Sequence, residues 1–345
     1  MSFAELGSRI PRSAGEAAYA QEAFGAPLLS TMLGWAVVAV GTVSAATMVH
    51  GFVGYLSVFA ELPAIPVIFL CVAGLTAIAI WGIGESLLTA AAITALETAG
   101  LVFDCVVAGD SFASFADDWM RILPDFNQTA IFGVVSGAFI AFYAFIGFED
   151  IVNIAEEVKT PEKTLPRAIV IALLVSTGLY VLIAIVATYA VPPETLAGNP
   201  APLAAIVESR GFPPGIIAFI SLFAVLNGAL VQIIMASRVL YGLASGGLAP
   251  AAFARVNPRT QTPIFGTMIV ASVLLLLCWL LPLLSLARIT SFIALAIFTV
   301  VNLCLLQLKR KQTVRPDFCV PRALPLAGAV LCVAMIAYES INFLR

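Results

Sequence analysis

Two adjacent carboxylates inside an apolar stretch are the clearest sign of chemistry in this sequence. Glu149 and Asp150 follow directly on the run 143–148, Tyr-Ala-Phe-Ile-Gly-Phe. In a hydrocarbon environment each carboxylate costs about 2.5–3.5 kcal/mol unless it faces protein or water. Gly147 permits a helix to break just before them, and a broken helix frees backbone N–H and C=O groups that can bind a small charged ligand.

Two interpretations of Glu149 and Asp150 stay open, and they are compatible. In the first, the segment binds a charged ligand at the helix break. In the second, the carboxylates only cap the half-helix that follows, where the helix dipole favours negative charge. Both interpretations require the helix to break near Gly147.

Glu97 is a further carboxylate in an apolar run. It is the twelfth residue of the run that begins at Ser86, about 16 Å from its start, and no basic residue shares the run. Desolvation favours the protonated form of such a group, so Glu97 is a candidate for proton coupling. The alternative is a neutral side chain that hydrogen-bonds a neighbouring helix. Asp104, two turns further along, is expected to be a solvated residue at the membrane interface.

The apolar run 216–243 carries three polar side chains, Ser221, Asn227 and Gln232. Ser221, Gly228 and Gln232 share one helical face, and Asn227 lies about 100° away from it. Intramembrane amides often bridge helices, so this structural role stands beside a ligand-contacting one.

Patterns typical of catalytic, cofactor and metal sites do not occur in the sequence. His50 is the only histidine, and the six cysteines include no C-x-x-C pair. The sequence contains no G-x-S-x-G, G-x-x-x-x-G-K or H-E-x-x-H pattern. We therefore expect no enzyme activity, no cofactor, no bound metal and no nucleic-acid partner, and we interpret His50 as an interfacial packing residue.

The composition predicts the elements that position these residues. Hydrophobic residues make up 61% of the 345 and charged residues only 11%, against roughly 25% in a soluble domain. The apolar residues form nine runs of about 20, the length that spans a bilayer as a helix. An open sheet edge is not stable in lipid, so all nine are predicted as helices. The runs are 28–55, 64–83, 86–108, 130–154, 168–191, 216–243, 263–281, 289–308 and 324–341.

The basic residues predict the orientation of these helices. If the segment 1–27 is cytoplasmic, alternation places all but four of the 17 Lys and Arg residues on the cytoplasmic side. The acidic loop around Asp117 is then external. We therefore expect a multi-pass protein of the cell membrane with its N-terminal segment in the cytoplasm.

Three motifs resemble those of the amino acid–polyamine–organocation permeases, and together they cover nearly the whole chain. The stretch 2–11, Ser-Phe-Ala-Glu-Leu-Gly-Ser-Arg-Ile-Pro, with the Gly-Glu-Ala-Ala-Tyr of 15–19, resembles the end of the family's second helix and the start of its third. The stretch 145–168, which opens Phe-Ile-Gly-Phe-Glu, is similar to the broken sixth helix and the loop after it. The stretch 236–244, Ala-Ser-Arg-Val-Leu-Tyr-Gly-Leu-Ala, resembles the end of the eighth helix.

The resemblance implies a five-plus-five inverted-repeat fold in which the substrate lies between two broken helices. It divides one transmembrane domain into a cytoplasmic loop with the start of a helix at 1–27, the remainder of the first repeat at 28–108, the second repeat at 130–308 and an extra C-terminal helix at 324–343. It also implies secondary active transport of amino acids by alternating access, in exchange or coupled to protons.

Site residues follow from the same resemblance. Tyr143 matches an aromatic gate, and Gln232 falls near a substrate contact on the eighth helix. Glu97 falls where some members carry a lysine that replaces a sodium ion, and a carboxylate there departs from those members. The candidate substrate-binding residues are Tyr143, Ala144, Phe145, Ile146, Gly147, Glu149, Asn227 and Gln232.

The family's first helix, whose glycine-rich break binds the substrate carboxylate, has no counterpart in residues 1–345, and the second helix is represented only by its end. We therefore expect that this exact chain does not transport by itself. Two other functions stay open. One is a carrier of polyamines or organic cations, whose site would need carboxylates, and the other is a non-transporting remnant or accessory subunit.

Overall fold

The computed structural model describes residues 1–12, 15–82, 87–124, 127–311 and 318–343. All regular secondary structure in these ranges is helical. Four short 3₁₀ segments are Trp119–Ile122, Phe142–Phe145, Phe148–Glu157 and Ala251–Ala254. The α-helices are α1 (Ser2–Arg9), α2 (Gly15–Phe24), α3 (Pro27–Leu56), α4 (Ala64–Trp81), α5 (Leu87–Val107), α6 (Asp110–Asp117), α7 (Gln128–Ala141), α8 (Pro161–Ala190), α9 (Pro193–Leu196), α10 (Pro202–Ser209), α11 (Gly215–Ser245), α12 (Ile264–Leu280), α13 (Leu283–Lys311) and α14 (Ala323–Phe343).

Each of the nine predicted runs overlaps one of the apolar helices, although α8 and α13 begin earlier than predicted. Within the described ranges, seven helices are long and apolar enough to cross a membrane, and an eighth span results if α5 and α6 count as one helix bent by 60°. The apolar helix α12 is 17 residues long, slightly shorter than the roughly 20 residues that a spanning helix needs. The prediction of an all-α polytopic protein is confirmed.

Glycines on α3 set how closely this helix approaches α11. A Cβ at Gly34 would collide with the side chain of Leu243, and one at Gly41 would lie 3.1 Å from Oε1 of Gln232. Seven residues separate the two glycines, so they share one face of α3. Small residues at such positions let helix backbones pack closely in lipid, where no hydrophobic effect drives helices together. The packing places Gln232 directly against α3.

Aromatic rings join α1, α13 and the irregular segment after α7. The ring of Phe298 packs edge-on against Phe3, Phe142 and Phe148, with centroid separations of 4.9, 5.5 and 5.5 Å. Phe3 and Phe148 meet each other at 5.7 Å. Such pairs contribute about 0.5–1.5 kcal/mol each beyond the area that they bury. This cluster holds the irregular segment against two regular helices.

A buried ionic network fixes α1 to the end of α13. The Glu5 carboxylate is fully buried, pairs with Arg9, and accepts hydrogen bonds from Lys309 Nζ and from the Val320 amide, each at 2.8 Å. Lys309 also donates to the Val320 carbonyl at 2.6 Å. Buried ion pairs need such additional hydrogen bonds to offset the cost of desolvation. The first helix is therefore an integral part of the bundle.

Candidate functional site

The helix that was predicted to break does so around Gly147. The α-helical hydrogen bonding of α7 ends at Ala141, one 3₁₀ segment continues to Phe145, and another begins at Phe148. Between them Gly147 adopts φ = +120° and ψ = −25°, a conformation that residues with a Cβ rarely adopt. The predicted interruption is present, and its second half is a 3₁₀ segment rather than an α-helix.

Neighbouring side chains bond several backbone groups at the break. The Ala144 carbonyl accepts from the Tyr180 hydroxyl at 2.7 Å, and the Gly147 amide donates to the Glu149 carboxylate at 2.8 Å. The Tyr143 hydroxyl accepts from the Ser44 hydroxyl at 3.3 Å and donates to the Ser44 carbonyl at 3.2 Å. Glu149 thus makes a capping contact at the break, and Tyr143 links the break to α3.

Three carboxylates and one amide surround a small cavity beside the break. Glu16, Glu149 and Asp150 line it, and Gln232 Nε2 donates to Oδ2 of Asp150 at 2.9 Å. Phe298 and aliphatic residues of α3, α11 and α13 form the other walls. The cavity measures about 20 Å³, close to what one water molecule requires, so a larger ligand needs these helices to move apart.

Glu16 is the member of this cluster that the sequence analysis missed. The Gly15 amide donates to Oδ1 of Asn153 at 3.1 Å, and this contact docks α2 on the 3₁₀ segment. A Cβ at Gly15 would lie 2.8 Å from the Val152 side chain, so a larger residue would disturb the contact. Glu16 is consequently 1% exposed, and its Oε1 has no hydrogen-bond partner among the described residues. Only its place directly after a glycine in a family motif could have drawn attention to it.

Glu97 and Asn227 form a separate pair on another side of α11. The Asn227 Nδ2 donates to Oε1 of Glu97 at 3.3 Å, and this bond bridges α5 and α11. The contact corresponds to the helix-bridging alternative for both side chains. Neither residue lines the cavity beside the break.

The expectation that Asp104 is solvated was wrong. Its side chain is fully buried and faces a cavity between α3, α5, α10 and α11. Seven residues separate Asp104 from Glu97, so both carboxylates lie on the same face of α5, the face that packs against α11. Helix packing therefore turns this carboxylate inward, although it lies near the end of its helix.

Among the residues predicted to contact substrate, Glu149 and Gln232 line the cavity beside the break. The ring of Phe145 instead packs edge-on against Tyr180, with centroids 5.1 Å apart. Ile146 packs against the hydrophobic core that includes α13. In this arrangement, residues 143–147 shape the break through their backbone and their packing.

Replacing Gly147 by alanine tests whether the break depends on its backbone conformation. A Cβ at this position would meet no described atom within 4 Å. The free energy of unfolding is therefore expected to fall by about 1–3 kcal/mol through the unfavourable φ angle alone. Gly137, in α7, also has open space around it, and Gly137→Ala is expected to be neutral or stabilising by about 0.4–1 kcal/mol. Thermal unfolding of both variants in detergent measures the difference. Equal stability of Gly147→Ala and the wild type would contradict this role.

Replacing Glu16 by glutamine tests whether the Glu16 carboxyl group is buried, because burial makes the melting temperature depend on pH. Burial, with a smaller effect of Asp150, raises the pKa of Glu16 from 4.5 to about 8. The folded state therefore binds the proton more tightly than the unfolded state, and this stabilisation is lost as pH rises from 4.5 towards 8. Glutamine cannot ionise, so the melting temperature of Glu16→Gln relative to wild type should rise over that range and level off above it. The exposed Glu22→Gln, on the same helix, is the control, and parallel pH profiles for Glu16→Gln and wild type would refute the prediction.

Comparison with known proteins agrees with this architecture. The family model described as amino acid permease matches residues 1–343. A branched-chain amino acid permease of Bacillus subtilis is 33% identical over 57% of this chain and 42% of its own length. The vacuolar cationic amino acid transporter 4 of Arabidopsis thaliana is 28% identical over 89% of the chain and 54% of its own length. A methylthioribose transporter of Bacillus subtilis is 26% identical, over 96% and 75% respectively.

The chain thus spans about half the length of the first two of these relatives. All three carry the names of permeases or transporters, which are not enzymes. Because the family model covers nearly all of a chain built from membrane-spanning helices, this chain belongs to the amino acid permease family and is a multi-pass membrane protein.

Proposed function

We propose that the chain forms the core of a secondary transporter that moves amino acids by alternating access. The observation that carries this proposal is the interrupted helix at Gly147, where two carboxylates meet an amide of α11 at a buried cavity. Irregular backbone at membrane depth is tolerated only where it is buried in protein or lines a polar cavity. Transporters place such breaks at the substrate site because the freed backbone groups bind charged ligand groups.

The groups at the break suit the two charged ends of an amino acid. The Gly147 N–H donates to the Glu149 carboxylate, and a substrate carboxylate can replace Glu149 as the acceptor of this hydrogen bond. The released Glu149, together with Asp150, then receives the substrate ammonium through charge-assisted hydrogen bonds. Gln232 holds Asp150 in position from the neighbouring helix.

Opening of the site requires the elements around the cavity to separate. A cavity of about 20 Å³ is too small for an amino acid, and its walls come from α2, α3, α11, α13 and the segment after Gly147. The Gly15–Asn153 hydrogen bond is a polar contact by which α2 holds that segment. When this hydrogen bond breaks, α2 can move away, and the cavity opens towards the side of the protein on which residues 1–27 lie.

Topology and domain organisation follow the distribution of basic residues and the family membership. We assign residues 1–27 to a cytoplasmic loop and the start of a helix, 28–108 to the remainder of the first repeat, 130–308 to the second repeat and 324–343 to an extra helix. The membrane is the cell membrane, and the acidic connection around Asp117 lies on its external side.

Glu97 is the proposed proton-coupling group. It lies in the middle of α5, and Asn227 donates a hydrogen bond to it. Such a carboxylate can exchange a proton without losing its partner, because the amide donates to either form.

A carrier of organic cations is the second candidate. The observation that favours it is the set of three carboxylates beside the break, where none of the described residues that line the cavity is Lys, Arg or His. One of the similar proteins bears the name cationic amino acid transporter.

Ligand-dependent thermal stability tests the proposed function. The gene product that contains this chain, with whatever sequence the gene encodes beyond it, is purified in detergent and mixed with single amino acids and with putrescine. We expect one amino-acid class to raise the melting temperature, since a ligand at 100 times its Kd stabilises by about 2.7 kcal/mol. Gln232→Ala should abolish the shift, whereas the exposed Gln128→Ala should keep it.

Other outcomes of this assay would favour the alternatives. A Gln232-dependent shift with putrescine and none with amino acids would favour the organic-cation carrier. No shift with any ligand, from a well-folded sample, would favour a non-transporting remnant or accessory subunit.

Replacing Glu97 by glutamine tests proton coupling. Glutamine keeps a carbonyl for the Asn227 hydrogen bond but cannot exchange a proton, so uptake into vesicles should lose its dependence on an imposed pH gradient. The exposed Glu194→Gln should behave as the wild type. Retained pH dependence in Glu97→Gln would show that the hypothesis is wrong.

A further inference from the structure

A second acidic cavity lies between α3, α5, α10 and α11. It measures about 240 Å³, and it shares no lining residue with the cavity beside Gly147. The residues that define it best are Tyr55, Glu97, Leu101, Asp104, Ile217 and Ser221. The cavity combines two carboxylates and two hydroxyls with an otherwise aliphatic wall.

Asp104 is the side chain in this cavity that needs an explanation. It is 0% exposed, and within the described residues neither Oδ1 nor Oδ2 has a hydrogen-bond partner. None of the described residues that line the cavity is Lys, Arg or His. A buried carboxylate is costly unless it is paired with a cation or protonated. The described residues of the cavity wall supply no cation to Asp104, so its charge is compensated either by a proton or by a cationic ligand.

Glu97 provides a second acidic group at a defined separation. Seven residues of helix place its Cα about 10 Å from that of Asp104 along α5. Gly100 lies between them, and a Cβ there would come within 2.9 Å of Cγ2 of Ile220, so this face of α5 is pressed against α11. Both carboxylates are therefore held on the side that faces the cavity.

We propose that this cavity binds a small organic cation, with an ammonium or guanidinium group at Asp104. The apolar part of this ligand lies against Leu101, Ile217 and Ile220, and the other end of the ligand points towards Glu97. A metal ion fits the wall poorly, because the described residues contain no group of three His, Cys, Asp or Glu side chains placed to hold one. The volume also exceeds that of a bare ion, whereas a pocket with aliphatic walls and a few polar groups is typical of organic ligands.

This inference goes beyond the proposed function, because the cavity is separate from the one beside Gly147 and can bind a cation whether or not the protein transports it. The two proposals can therefore fail independently.

Calorimetric binding to the detergent-purified gene product tests the site with a matched pair of probes. Putrescine carries an ammonium at each end of a four-carbon chain, and 1,4-butanediol has the same length without charge. We expect putrescine to bind, butanediol not to bind, and Asp104→Asn to weaken putrescine binding by about tenfold or more, since the ammonium then meets a neutral acceptor in place of a charged one. The exposed Asp117→Asn, with the same change of charge, and Gln232→Ala, at the other cavity, should both leave putrescine binding unchanged.

Three results with putrescine alone would overturn the proposal. They are an absence of putrescine binding to folded protein, equal binding in Asp104→Asn, and binding that is lost in Gln232→Ala. Equal affinity for butanediol, or displacement of putrescine by an equal concentration of sodium ion, would also refute an organic-cation site.

A measurement on the unmodified protein covers the case in which Asp104→Asn does not fold. Dicyclohexylcarbodiimide modifies carboxyl groups in apolar surroundings, and mass spectrometry locates the modified peptide. Putrescine should protect Asp104 from modification, and butanediol should not. Modification of Asp104 that putrescine leaves unchanged would refute the site.

Discussion

The need to satisfy backbone hydrogen bonds inside a membrane is the constraint on which the rest of this structure depends. A regular helix satisfies them within itself, so nine helices account for most of the described chain. The interruption at Gly147 departs from this solution, and the surrounding protein has to replace what the helix gives up. Tyr180 and Glu149 do so through the Ala144 carbonyl and the Gly147 amide. The aromatic cluster around Phe298 then holds the irregular backbone in place by packing.

The buried carboxylates of this protein show different solutions to one electrostatic problem. Glu5 is paired with Arg9 and Lys309, so its charge is compensated within the bundle. Glu149 accepts a backbone hydrogen bond, and Asp150 accepts one from Gln232. Burial raises the pKa of Glu16, which favours its neutral form. A fixed ion pair suits a structural contact, whereas carboxylates without a basic partner suit a place where a ligand or proton comes and goes.

Parts of the site could be predicted from the sequence because their signals are local. The break at Gly147 follows from a glycine next to two carboxylates in an apolar run, and the structure contains it. The pairing of Gln232 with Asp150, and of Asn227 with Glu97, could not be predicted, since each bond joins side chains on different helices. Glu16 was missed because its burial depends on how α2 docks against Asn153, more than a hundred residues away. Asp104 was misplaced because distance from a helix end was taken as a guide to exposure, although the helix face decides it.

The sequence by itself determined the class of protein, the approximate places of its apolar helices, and the position at which one of them breaks. Hydrophobicity and chain length are properties of a single segment, and the bilayer acts on each segment separately. Only the tertiary structure decided which carboxylates meet at Gly147, which one is paired with lysine, and which one faces the cavity between α5 and α11. These outcomes depend on helix rotation and close approach, which are set by contacts such as those of Gly15, Gly41 and Gly100 with other helices and segments. No property of one segment encodes the face that its neighbours will cover.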